Sequence, residues 1–326
     1  MIHCGPRLGK LSSHQFSSAT RKHSLGDCLN ATPIQAGLFK QNVLLETQRG
    51  ERIFRGRSHY SWQYPKERFF ANFLAEQTNL PTPRPYLIDK SLEHFDYDFA
   101  LMPKMPGIQL SDQLLLKSLS GDDLKKIAHQ LGQTLRVLQH FQAPFYGEFD
   151  ELTNKVVSYE ESYDQQLLKK VQALIEASNM TRQTISNDEE RNLMAIFKKY
   201  LERVLISSPV ITLQDYKADN TCVTKNNDDW QVTGIFDLME ARFGHCLEDL
   251  PRQYATYIDA QQLDLANEFL LGYNLDESDL PLLDCFIIID RLIVWEYVCR
   301  NIKSWQEESF LKWVQNYCLT DLSSLC

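Results

Sequence analysis

Asp215, Asn220 and Asp237 are the side chains whose types and spacing could do chemistry. The first two lie five residues apart in Leu213-Gln214-Asp215-Tyr216-Lys217-Ala218-Asp219-Asn220. The third closes the run Gly234-Ile235-Phe236-Asp237. Between them the pattern predicts two strands, Thr221 to Thr224 and Trp230 to Phe236. The intervening Lys225-Asn226-Asn227-Asp228-Asp229 is made of residues that favour tight turns. An antiparallel hairpin brings its two open ends together, so Asn220 and Asp237 can reach one point. A few protein oxygens, completed by water and phosphate oxygens, suit a hard cation such as Mg²⁺. Asp215, upstream on the same loop, is placed to aim a hydroxyl or receive its proton. Asp237 follows the apolar run Val232 to Phe236, which should be buried, so its charge needs a partner or a metal. The plainer alternative is a polar turn followed by a solvated hairpin. For Glu240, metal support, substrate contact and a simple surface acid all stay open.

Three blocks, in this order, carry a resemblance. They are Leu213 to Asn220, then Phe236-Asp237-Leu238-Met239-Glu240-Ala241, then Gly244-His245-Cys246-Leu247-Glu248-Asp249-Leu250. Together they resemble the catalytic and metal loops of the aminoglycoside phosphotransferase family, written roughly H-G-D-x-x-x-x-N, I-D-F/W-x-x-A and G-D-P-x-x-D-L. The resemblance implies an α+β, bilobal protein-kinase-like fold with a small β-rich N-terminal lobe and a larger, mainly helical C-terminal lobe. It implies transfer of a γ-phosphate from ATP, with GTP as the alternative, to a hydroxyl of a small molecule, with Mg²⁺ as cofactor. Asp215 would be the catalytic residue, Asn220 and Asp237 the metal ligands, and Asp249 the residue that orders the catalytic loop. The chain departs from the pattern at Leu213 (His in the family), Gln214 (Gly) and His245-Cys246 (Asp-Pro). Those departures keep a catalytically weak pseudokinase or nucleotide-binding scaffold in play. So does a helical interaction protein whose acid loop is coincidental.

The remaining elements must position that loop. Thr32 to Glu46 and Glu51 to Arg57 read as strands around the turn Thr47-Gln48-Arg49-Gly50. The block Gly37 to Glu46, with Lys40 and Asn42, resembles the family's nucleotide loop, whose exposed N–H groups sit near phosphate oxygens. Arg55 takes the place of the lysine that grips the α- and β-phosphates, but as a forked donor. Tyr64 to Leu80 is predicted helical, with Pro65 in its first turn. Glu67, Phe70, Ala71 and Leu74 share one face of it. A glutamate on an apolar face needs a cation, and the family pattern names Arg55, with Arg57 as second choice. The alternatives are a surface arginine and a glutamate turned to water. Asp98 to Gly107 resembles the strand and hinge between lobes, where Met102 and Lys104 would offer amide donors to a base. Pro103 has none. The division predicted is 1–29 as an N-terminal extension, 30–104 as the nucleotide-binding lobe and 105–326 as the helical lobe with the acceptor site.

Bulk properties bound the function. The chain has 326 residues and a formal net charge of −9. Residues 1–110 hold 14 basic against 9 acidic residues, and the rest 20 against 34. A basic part beside an acidic part argues against a nucleic-acid binder with one continuous basic face. It fits an anionic nucleotide on one side and a cationic acceptor on the other. An aminoglycoside, choline or another amine is favoured, an amino alcohol, homoserine-like metabolite or sugar stays open, and Glu240, Asp259 and Asp264 are the candidate acids. No segment reaches the roughly 18 uninterrupted apolar residues that a membrane span needs. Cys285 to Val298, interrupted by Asp290, Arg291 and Glu296, reads as a buried helix, with Glu296 and Arg300 paired. Eight scattered cysteines without C-x-x-C suggest reduced thiols and a cytoplasmic setting. The first residues carry Arg7, Lys10, Arg21 and Lys22 and no apolar core of a secretion signal, so they read as a loosely packed extension.

Overall fold

The structure is a computed structural model. It describes residues 1–34, 41–138, 140–182, 184–302, 304–305 and 309–322. Gly37 and Lys40, read as part of a nucleotide loop, lie outside the described residues. The small lobe is built on an antiparallel sheet of five strands: β3 (Cys28–Pro33), β4 (Asn42–Thr47), β5 (Gly50–Gly56), β6 (Leu87–Asp89) and β7 (Phe99–Pro103). Their order is β3-β4-β5-β7-β6. The single strand expected across residues 32–46 is two strands, with Pro33 opposite Val43. Pro33 has no N–H with which to extend a ladder. Helix α2 (Gln63–Gln77) carries Pro65 in its first turn and buries Glu67, Phe70, Ala71 and Leu74. Phe70, Ala71 and Leu74 join the core of the large lobe rather than that of the sheet.

The first 29 residues are not a loose extension. Two short strands, β1 (Ile2–His3) and β2 (Lys10–Leu11), pair and lead into α1 (Ser13–Lys22). Ser12 caps that helix reciprocally with Gln15, which satisfies two otherwise orphaned amides. Cys4, Leu8, Leu11, Phe16, Ala19 and Leu25 are buried in one cluster with Val43, Phe54, Phe95 and Phe99. Phe16 meets Phe54 edge to face at 5.3 Å. The apolar spacing that could have signalled this is carried by very short elements among Ser and His.

The large lobe begins with β8 (Ile108–Gln109), α3 (Gln113–Ser118) and α4 (Gly121–Leu138). It continues through β9 (Gly147–Asp150), β10 (Lys155–Ser158), α5 (Tyr163–Thr181), α6 (Asn187–Tyr200) and β11 (Val210–Thr212). The predicted hairpin is β12 (Thr221–Asn226) and β13 (Asp229–Ile235), with β8 added beside β12. β14 (Arg242–Gly244) then pairs with β11 and touches β9. Helices α7 (Leu250–Asp259), α8 (Leu263–Tyr273), α9 (Leu280–Asn301) and α10 (Phe310–Gln315) complete it. α9 is buried over most of its length, as a central helix must be, and the predicted Glu296–Arg300 pair forms on it. α4 and α8 cross in direct backbone contact. A Cβ on Gly132 would fall 2.1 Å from the Phe269 carbonyl, and one on Gly272 would fall 2.0 Å from the His129 carbonyl. Among the described residues no helix is long and apolar enough to cross a membrane.

Candidate active site

A cavity of about 990 Å³ runs between the sheet of the small lobe and the helices of the large one. Asn42, Arg55, Met102, Lys104, Asp215, Asn220 and Asp237 all line it. Glu67 stands behind Arg55 and is 2% exposed. β5 and α2 aim this pair at each other. Arg55 Nη1 lies 2.8 Å from Glu67 Oε2, and its other fork, Nη2, lies 2.9 Å from Asp237 Oδ1. Tyr86 (3.0 Å) and Gln63 (3.0 Å) donate to the Glu67 carboxylate. A lysine has one terminal nitrogen. The guanidinium fork lets Arg55 hold two acids at once. Burial works against the Arg55 charge, and Glu67 and then Asp237 outweigh it. Burial also opposes ionisation of Asp237, but Arg55, with Lys217 and His59 further out, holds its carboxyl below the usual range. Arg57, the second choice for Glu67, pairs instead with Asp96 at 3.5 Å.

The catalytic loop is fixed from below. Asp249 accepts the amide of Leu213 with both oxygens (2.8 and 2.9 Å) and that of Gln214 at 2.6 Å. Gln214 has φ +63°, left-handed backbone that costs a side-chain-bearing residue and suits the family's glycine. Its side-chain amide compensates by donating to Thr212 (2.9 Å) and Glu248 (2.6 Å). Glu248 is buried and paired with Arg242 at 2.5 Å, and Tyr163 donates to its other oxygen. Burial opposes the Glu248 charge, but Arg242 and the Tyr163 hydroxyl bring its pKa down to about 2. Burial lifts the Asp249 carboxyl to about 7, against the pull of the two loop amides. The loop's far end is held by Gln253, which accepts the Ala218 amide at 2.6 Å.

Asp215 faces the cavity from this platform. Lys217 reaches both of its oxygens, at 2.9 and 2.8 Å. Asn220 Nδ2 donates to Asp215 Oδ2 at 2.9 Å, and Arg252 Nε stands 3.7 Å from Oδ1. Because the nitrogen of Asn220 is engaged, Oδ1 is the atom it can offer a cation. Asp237 offers the oxygen that Arg55 leaves, and its side chain is 37% exposed to the cleft. It too has a left-handed backbone, φ +62°. Among the described residues no three His, Cys, Asp or Glu side chains are grouped to hold a metal. The donor set therefore fits a cation that arrives with phosphate oxygens rather than one caged by protein.

Several residues escaped the sequence reading. Tyr86, Arg242, Arg252, Gln253 and Lys170 are brought to the site by packing between elements, and no local spacing marks them. Gln63 stands four residues before Glu67 on α2, a spacing that could have marked it. Lys104, expected as an amide donor, directs its N–H to the Glu51 carbonyl (3.4 Å) and its ammonium to the Glu51 carboxylate (3.0 Å). Of the three candidate acceptor acids, only Glu240 lines the cavity. Asp259 binds Tyr317 (2.6 Å) and Arg291 (3.5 Å), and Asp264 pairs with Lys125 at 3.4 Å.

A β-sheet lobe over a helical lobe, with an acid–amide loop and a second acid in the cleft between them, is the arrangement of a kinase-like phosphotransferase. The chain belongs to the phosphotransferase enzyme family, whose model matches residues 30–283. Comparison with curated protein sequences returns no match. Among solved structures it is similar to an aminoglycoside 2'-phosphotransferase-IIIa in complex with GDP, at 15% identity and a TM-score of 0.64, covering 97% of this chain and 100% of that one. It is also similar to APH(4)-Ia with ADP and hygromycin B, at 14% identity and a TM-score of 0.62, covering 94% and 97%. A third is a putative aminoglycoside phosphotransferase from Ralstonia eutropha, at 12% identity and a TM-score of 0.61, covering 97% of each chain. At these identities the likeness is one of fold: bilobal and protein-kinase-like.

Proposed function

We propose that this chain transfers the γ-phosphate of ATP, in a Mg²⁺-dependent reaction, to a hydroxyl of a small molecule that carries an amine. The observation that carries this reading is the convergence of Asp215, Asn220 and Asp237 on one cavity, with Arg55 held between Glu67 and Asp237. Phosphoryl transfer is mainly positioning and charge neutralisation. Asp215, aimed by Asn220 and Lys217, accepts the proton of the acceptor hydroxyl. The hydroxyl oxygen forms a bond to the γ-phosphorus as the bond to the leaving ADP oxygen breaks. Lys217 offers positive charge on the same side. Arg55 steadies the α- and β-phosphates, and Asn42 and Met102 line the nucleotide end. Asn220 Oδ1 and the open oxygen of Asp237 would hold Mg²⁺, which supplies neutralisation of the phosphate oxygens. The exposed Glu240 is the cleft acid that meets the amine. In support, relatives of the same fold carry kanamycin or hygromycin B in their structures. The setting proposed is cytoplasmic, with no nucleic-acid or membrane partner.

The test is an ADP-release assay with ATP–Mg²⁺ over a panel of hydroxylated amines and sugars, with the phosphorylated acceptor confirmed by mass. Acceptor-dependent release is expected. A nucleotide bound at 100 times its Kd should stabilise the fold by about 2.7 kcal/mol. Absence of any nucleotide-dependent stabilisation would sink the reading.

A further inference from the structure

α5 brings Lys170 to the helical wall of the cleft, beside Leu167. The other cations of that wall already have carboxylates. Arg242 is on Glu248 at 2.5 Å, Arg252 is on Asp290 at 2.8 Å, and Lys217 is on Asp215 at 2.8 Å. Asp290 also takes Arg291 at 2.6 Å. Lys170 is half-buried, lines the cavity, and has no hydrogen-bond or ion-pair partner among the described residues. Glu240 lines the same cavity, is exposed and likewise carries no ion pair among them, although its charge, with those of Glu248 and Asp290, is felt at Lys170. The acid-rich balance of residues 111–326 therefore extends into the cleft, but most of the acids there are already engaged by basic side chains. That leaves Lys170 as a cation without an ion pair, and Glu240 and Asp219 as acids without one, among the described residues. Burial, and then the nearby Arg242, bring the Lys170 ammonium down to about 8. The surrounding carboxylates do not make up the deficit. An ammonium withdrawn from water and left unpaired is costly, and an anionic ligand oxygen removes that cost.

We infer that the acceptor is zwitterionic: a hydroxylated amine that also bears an anionic oxygen group, carboxylate or phosphate. Glu240 receives the amine and Lys170 the anionic group. This rests on the phosphotransferase reading and narrows its substrate class.

Matched acceptor pairs that differ only in the anionic group test it. Serine is set against ethanolamine, homoserine against aminopropanol, and glucosamine phosphate against glucosamine. The first two pairs probe a carboxylate and the third a phosphate. The wild-type protein should favour the anionic member of at least one pair by about 10-fold or more in kcat/KM, the worth of one charged hydrogen bond. In Lys170→Gln that ratio should fall towards one, and Lys170→Arg should keep most of it. Equal use of both members by the wild type, or a ratio untouched in Lys170→Gln, overturns the inference. Thermal melting of the ATP–Mg²⁺-saturated protein with each pair gives a readout that needs no turnover. Selective stabilisation by an anionic member, lost in Lys170→Gln, supports the inference even if phosphotransfer fails. Stabilisation by neither member of any pair overturns it. Turnover of the amines lacking an anionic group as efficiently as that of their anionic counterparts would leave the phosphotransferase reading standing and end this one.

Discussion

Two arginine–carboxylate clusters flank the cleft, and they differ in whether a carboxylate oxygen stays open to it. In the small lobe Arg55 is clasped between Glu67 and Asp237, and the second oxygen of Asp237 remains open to the cavity. In the large lobe Arg242 is paired with Glu248, whose other oxygen is taken by Tyr163 and which also receives Gln214. The first cluster joins elements from both lobes and keeps a charged oxygen available. The second is sealed and props the catalytic loop. On the proposed reading the same chemistry would serve reaction in one place and scaffolding in the other, with the exposure of one carboxylate oxygen separating the roles.

The largest effects should come from the open cluster and its neighbour. Asp215→Ala is expected to lower kcat by roughly 10²- to 10⁴-fold, the usual worth of a positioned acid–base group, while nucleotide binding persists. Asp237→Ala should lose turnover and also the Mg²⁺-dependent part of nucleotide stabilisation, measured by thermal shift with and without the metal. Full activity in either variant would break the distinction between the clusters at its active side. The sealed cluster should answer in stability instead. Arg242→Met strands a buried carboxylate and should cost about 3–5 kcal/mol in chemical denaturation. A change under 1 kcal/mol would mean that this pair props nothing.

A subtler probe separates the two arms of Arg55. Arg55→Lys retains a charge near Glu67 but cannot span to Asp237, so the nucleotide KM should rise roughly tenfold, the worth of one charged hydrogen bond. No rise would show that the bridge to Asp237 is idle. The smallest effect concerns acid. Glu248 has a pKa of about 2 in the fold against a usual value of 4.5. Its folded-state pKa is depressed, so its stabilising contribution is complete above pH 4.5 and drains away as pH falls towards 2. Melting temperature should drop through that window, and the drop should be shallower in Arg242→Met.

Legibility followed the range of the interaction. The Asp215 loop and the β12–β13 hairpin are contiguous, so their residue types announce them, whereas the Asp249 anchor, 36 residues from Leu213, comes from the resemblance to the family's motif. Arg55 and Glu67 lie twelve positions apart; helix periodicity puts Glu67 on an apolar face in need of a cation, and the resemblance to the family names Arg55. Lys170, Arg242 and Arg252 enter the cleft by the packing of α5, β14 and α7, and a lone basic residue on an amphipathic helix has no local mark. The net charge of a whole region is coarse for the same reason, because it does not say which acids of the cavity are already paired. The N-terminal segment was misjudged because its two strands are two residues each. Such strands are stable only against a sheet that lies elsewhere in the chain.

That packed N-terminal segment makes the unit that folds larger than the unit that is recognised. The family match begins at residue 30, after Cys4, Leu8, Leu11, Phe16 and Ala19 have filled the outer side of the sheet. It ends at residue 283, four residues into the 22-residue helix α9. A fragment trimmed to those limits would bare Phe54, Phe95 and Phe99 at one end and sever the central helix at the other. It should be insoluble even though every residue of the Asp215, Asp237 and Asp249 motifs is retained.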